Sequence, residues 1–106
     1  MEIFKDVLAA VGFSQDKLKK VNLFDTERMF CDVYGLEPEQ EQKPHGHGGS
    51  DKVYYVIDGR AEFLVGDERL EGGPGYACLA PAGLTHAVRN PGPSRLALLV
   101  FMAPKP

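Results

Sequence analysis

The chain contains three histidines, and two of them stand one residue apart in "QKPHGHGGSDKVYYVIDGRAEF", residues 42 to 63. These are His45 and His47; the third, His86, lies downstream in "GYACLAPAGLTHAVRN". On an extended backbone, residues i and i+2 project to the same side. Pro44 is compatible with extended backbone, so His45 and His47 form a pincer if residues 43 to 47 are a strand. Two imidazoles so placed are suited to a divalent metal ion. Taken alone, His-x-His is a short pattern that arises readily by accident. Its weight depends on the elements that carry it.

Those elements read mostly as strands. Ile3, Phe4, Val7, Leu8 and Val11 share one face at helical spacing, and Gly12 can end that helix. After about residue 20 the helical period disappears. "KVNLF", "RMFCDVYGLE", "KVYYVID", "RAEFLVG", "ERLE", "YACLA", "HAVRN" and "RLALLVFMA" are short β-rich runs broken by Gly, Pro, Asn and Asp. "EPEQEQK" reads as a polar loop. Eight or more strands at near-regular spacing predict an all-β fold, an antiparallel sandwich or barrel, with a short N-terminal helix. The expected organisation is a helical segment over residues 1–20 and one barrel domain over 21–106.

The final run lacks alternation. Leu96, Leu98, Val100 and Met102 share one face, and Ala97, Leu99 and Phe101 share the other. Both faces are therefore expected to be buried. One lines the barrel; the other needs a cover, either the N-terminal helix or a second copy of the chain. A homodimer is the expectation.

Composition excludes several classes. The formal charge is −3 with acids and bases interspersed, and no Lys/Arg cluster tracks phosphates, so nucleic acid is not an expected partner. No apolar run approaches the ~20 residues that span a bilayer, and the acid-bearing N-terminus does not read as a secretory signal. Cys31 and Cys78 make neither a disulfide framework nor a Cys-x-x-Cys site. The expectation is a cytoplasmic protein with two reduced thiols.

The context of the histidines sharpens the reading. From Gly75 the chain matches Gly75, Pro81, Gly83, His86 and Asn90 at the spacing G-x5-P-x-G-x2-H-x3-N, and upstream it has His45, His47 and Gly59. These two motifs resemble those of the cupin superfamily over residues 39 to 90, at the spacing of compact microbial members. The resemblance implies a jelly-roll barrel and places all three histidines on metal-ligand positions. Read without the family, Pro81-Ala82-Gly83 is a reversal that sets the direction of His86, and Gly59, Gly75, Pro81 and Gly83 are structural. Asn90 is expected to bond backbone at a strand end.

Two positions depart from the pattern. Where the family has a leading glycine stands Glu39, and where it has a carboxylate ligand stands Lys52. A protonated ammonium cannot ligate a metal. At ~5 Å from a divalent ion and an effective dielectric near 20, its repulsion amounts to roughly 6 to 7 kcal/mol. Three arrangements escape this. In one, Lys52 swings to solvent or pairs with Glu39 or Glu41, leaving a three-histidine site, as some resembling cupins have. In another, Asp51 points inward as the fourth ligand, which needs a bulge before Gly59. In the last, no metal binds and Lys52 with the histidines holds an anion.

Tyr54 shares a strand face with Lys52 and is expected to line the pocket or the core. Gln42 lies near the pincer and could bond a metal-bound water. Cys78 faces the cavity or is an inert core thiol. The resemblance implies a small metalloenzyme of dioxygenase, isomerase or lyase type, using iron, zinc, manganese or nickel on a small polar or anionic molecule. The competing readings are a non-catalytic module that binds or senses a metal or metabolite, and a metal-free isomerase.

Overall fold

Turn residues and β-rich runs lie where the strands begin and end. The computed structural model describes residues 2–46 and 48–106, and His47 is outside them. Among the described residues the strands are β1 (Lys19–Asp25), β2 (Phe30–Leu36), β3 (Glu41–His45), β4 (Asp51–Asp58), β5 (Ala61–Val65), β6 (Glu68–Gly72), β7 (Ala77–Ala80), β8 (His86–Arg89) and β9 (Leu96–Ala103). They form two sheets, in the orders β1-β2-β9-β4-β7 and β3-β8-β5-β6. All pairings are antiparallel. The predicted all-β antiparallel barrel is the observed fold. The last three residues of the expected polar loop, Glu41 to Lys43, belong to strand β3; Pro44 is tolerated there because β3 is an edge strand, where a missing N–H breaks no ladder.

The inner faces of the sheets enclose the main core. Leu96, Leu98 and Val100 of β9 are buried there, with Tyr34 and Leu36 from β2 and Tyr54 and Val56 from β4. Each aliphatic side chain of this set contributes about 2 kcal/mol by leaving water. The opposite face of the five-stranded sheet carries a second cluster around Leu23, Cys31, Val33 and Leu99.

The N-terminal segment covers that second cluster, but not as a helix over residues 3 to 11. The helix α1 is one turn, Val7–Ala10, capped by the Asp6 carboxylate accepting from the Ala9 N–H. Ile3 and Phe4 are exposed, and so is Leu8. A segment this short does not sustain a helix by itself, and the contacts that order it come from Val7, Ala10 and Val11 on the sheet. Its approach depends on Gly35, where a Cβ would fall 1.9 Å from the Gly12 carbonyl oxygen. β1 begins at Lys19, ahead of the expected boundary at residue 21. The cover is partial: on the neighbouring outer face, Tyr55, Leu79 and Phe101 remain exposed.

Glu39 keeps the conformation that a glycine would adopt, with φ of 74°. Its N–H donates to the Asn90 carbonyl, and its carboxylate pairs with Arg89. A side chain in the left-handed region costs about 1 kcal/mol, whereas an exposed ion pair returns little. Glu39→Gly is therefore expected to raise unfolding free energy by about 0.5 kcal/mol in urea titrations; a clear loss would show that the Arg89 pair outweighs the strain.

Candidate metal centre

His45 ends β3 and His86 begins β8, and the two stand opposite each other in the β3–β8 register. Their ring centroids are 4.3 Å apart, with the planes inclined at 60°. Each Nδ1 meets a carbonyl two residues back: His45 meets Lys43 O at 2.8 Å and His86 meets Leu84 O at 3.2 Å. A carbonyl only accepts, so Nδ1 carries a proton in both rings, and in the neutral imidazole the lone pair is then on Nε2. This is how metal-binding imidazoles are oriented from behind. His86 is 2% exposed and His45 is half-buried.

The direction of His86 comes from the turn before it. Gly83 takes φ of +85° after Pro81 and Ala82, and Leu84 N–H closes onto Pro81 O at 3.2 Å. Asn90, just past the far end of β8, binds backbone as expected: its amide donates to Leu36 O and Ser94 O and accepts from Gly92 N–H.

Lys52 points inward. In β4 it stands between Ala80 and Met102, both buried, and it is 2% exposed itself. Its Nζ donates to Gln42 Oε1 at 3.1 Å and lies 5.3 and 5.0 Å from the ring centroids of Tyr34 and Tyr54. It neither swings to solvent nor pairs with Glu39 or Glu41. Burial, reinforced by Lys20 and opposed by Asp32, pulls its ammonium down to about 8 from the ordinary 10.5.

Asp51 is not with the histidines, which corrects its expected place as an inward fourth ligand. The β4–β9 register does shift between Val56 and Asp58. Even so, Asp51 is exposed opposite Ala103, and its Oδ1 accepts from Ala82 N–H at 2.8 Å. The carboxylate therefore secures the turn that aims His86.

Gln42 has partners that its position did not suggest. It and His45 are three residues apart, yet they oppose Val88 and His86, two apart, so a bulge intervenes. Gln42 Oε1 accepts from both Lys52 Nζ and Tyr54 Oη, the latter at 2.9 Å. Burial pushes the Tyr54 phenol far above its ordinary value, with Tyr34 and Cys78 adding to it. Tyr34 rises to about 12, mainly by burial, although a hydrogen bond with Gln42 pulls the other way. Both phenols thus stay protonated at neutral pH and can donate hydrogen bonds. Cys78 is buried opposite Tyr54, where burial raises its thiol, and it borders a separate apolar cleft with Phe63 and Tyr76.

His45, Gln42 and Lys52 line one cleft of about 230 Å³ with Lys20, Asp32 and Tyr34. Tyr34, Lys20 and Asp32 were not anticipated. The i, i+2 spacing of Asp32 and Tyr34 was the available signal, but the β1–β2–β9 pairing was needed to bring them to β4. Among the described residues no group of three His, Cys, Asp or Glu side chains is assembled to hold a metal ion. The third expected ligand, His47, lies outside those residues.

The cupin domain profile matches residues 32–102. The chain belongs to the cupin family. A solved structure from Thermus thermophilus is 45% identical, superimposes with a TM-score of 0.94, and covers 97% of this chain and 98% of its own. An uncharacterized protein of Streptomyces coelicolor is 36% identical over 79 residues, covering 73% of this cupin and 72% of its own length. A Klebsiella pneumoniae protein with a double-stranded β-helix domain shares the fold at 24% identity, with a TM-score of 0.90 over 98% of this chain and 91% of its own. In this cupin no helix among the described residues is long and apolar enough to cross a membrane.

Proposed function

We propose that this cupin binds a divalent transition metal through His45, His86 and His47 and acts on a small polar or anionic molecule beside it. The observation that carries the reading is the registered pair of His45 and His86, each with its Nδ1–H tied to a backbone carbonyl. The donor set fits a metal: neutral imidazoles with Nε2 lone pairs suit iron, zinc, manganese or nickel. When bound, such an ion supplies Lewis acidity or, as iron, chemistry with dioxygen. The chain's own contribution is separate. Tyr54 holds a phenolic proton next to the site, Gln42 fixes the phenol and Lys52, and the buried walls restrict water. Turnover, of dioxygenase, isomerase or lyase type, distinguishes an enzyme from a non-catalytic sensor.

Titration of chelator-treated protein with zinc, nickel, manganese and ferrous iron tests the reading. Expected is one ion per chain for at least one metal, with a rise in melting temperature. Absence of stoichiometric uptake for all four would end it and favour the metal-free alternative.

A further inference from the structure

We propose that Lys52 recognises a small carboxylate ligand whose other end reaches the histidine centre, with Lys20 assisting at the rim. This rests on the metal reading above and names the ligand class for that site.

Lysines are almost never fully buried unless paired. Lys52 is 2% exposed, yet among the described residues no carboxylate stands within ion-pair distance of it. Its ammonium has three N–H donors, and Gln42 Oε1 receives one of them. The same oxygen also receives the Tyr54 hydroxyl. Two donors thus converge on one amide oxygen, while the Tyr34 and Tyr54 rings flank Nζ. The array is rich in donors and poor in acceptors. A carboxylate supplies two oxygens with about four acceptor positions.

The cleft agrees in charge and size. Lys20 Nζ approaches the Tyr34 ring at 5.2 Å, as Lys52 does at 5.3 Å. Asp32 is the acid in the same lining, and its Oδ1 already accepts from Asn22 Nδ2 at 2.8 Å. Among the side chains of the lining two ammoniums face one engaged carboxylate, and an ion held by neutral imidazoles would add to this positive excess. About 230 Å³ equals the share of seven or eight liquid waters, at ~30 Å³ each, which suits a small acid. Because His45 and Lys52 line the same cleft, one such molecule can touch both.

Calorimetric titration of zinc-loaded protein with malonate, malonamide and inorganic phosphate tests this, with zinc content measured on the same samples. Malonate is expected to bind wild type, at least tenfold more weakly to Lys52→Met and severalfold more weakly to Lys20→Met. Zinc content should be unchanged, and malonamide should not distinguish the proteins. Equal malonate affinity in wild type and Lys52→Met, both retaining zinc, would overturn the inference and leave the metal reading standing. Phosphate binding as tight as malonate would overturn the carboxylate class. If wild type takes up none of zinc, nickel, manganese and ferrous iron, the metal reading fails by itself. Malonate binding by metal-free protein then decides the inference: dependence on Lys52 upholds recognition of the acid, and independence removes it.

Discussion

Replacing His86 by alanine is expected to weaken binding of a divalent transition metal at least 100-fold, about 3 kcal/mol. The imidazole, on the first residue of β8 and directly opposite His45 of β3, is held from behind by Leu84 O. Loss of a group that merely orients a ligand typically costs 10- to 100-fold in affinity, and loss of the ligand itself costs no less. Competition against a chromophoric chelator measures the change. His86 is buried, so its removal also leaves a cavity. His45→Ala separates the two effects, because His45 is half-buried at a strand end. Both variants, and His47→Ala, are expected to lose the metal while circular dichroism reports an intact fold for His45→Ala. Retention of wild-type affinity by His45→Ala and His86→Ala alike would remove the metal centre.

The second large effect is on stability. In metal-free protein, Lys52→Met is expected to be more stable than wild type at pH 7 by about 3 kcal/mol. The folded ammonium titrates at about 8, depressed by burial first and Lys20 second, against 10.5 ordinarily. Between those values the unfolded chain holds a proton that the folded chain has lost. Unfolding free energy therefore rises with pH from about 8 to about 10.5. Below pH 8 both states are protonated and the penalty is complete, at about 1.4 kcal/mol for each pH unit between the two values. Methionine keeps the volume and removes the charge, as when apolar residues replace buried ions elsewhere. Gln42 Oε1 retains the Tyr54 hydroxyl. Denaturant titrations from about pH 7 to 10.5 should show the difference between the two proteins shrinking as pH rises. A variant less stable than wild type at neutral pH would show that Gln42 and the two rings already compensate the ammonium.

Local chemistry made much of this protein legible from its residues. Runs such as "KVYYVID" and "RLALLVFMA" became β4 and β9 because β-branched and aromatic side chains fit a pleated surface. Pro81-Ala82-Gly83 turned and aimed His86, since proline and a left-handed glycine dictate a reversal wherever they occur. The opposition of His45 and His86 followed from these turns and from the motif spacing. Even the missing glycine at position 39 left the turn intact, because Arg89 and Asn90 hold Glu39 in the left-handed region.

Tertiary structure decided the rest. The helical period at residues 3 to 11 yielded one turn, Val7–Ala10, because docking on the sheet sets how much of so short a segment is ordered. The side on which Lys52 lies was open in the sequence, since Asp51 and Lys52 are adjacent and strand alternation sends one in and the other out. Pairing with Ala80 on one side and Met102 on the other settled it, and a slip of one residue would have exchanged their roles. Register likewise gave Asp51 to the Ala82 turn, made Gln42 the shared acceptor of Lys52 and Tyr54, and brought Tyr34 and Lys20 into the cleft. Strand and turn propensities act over a few residues, whereas register is a contact between segments tens of residues apart, so only the assembled sheets specify which side chains meet.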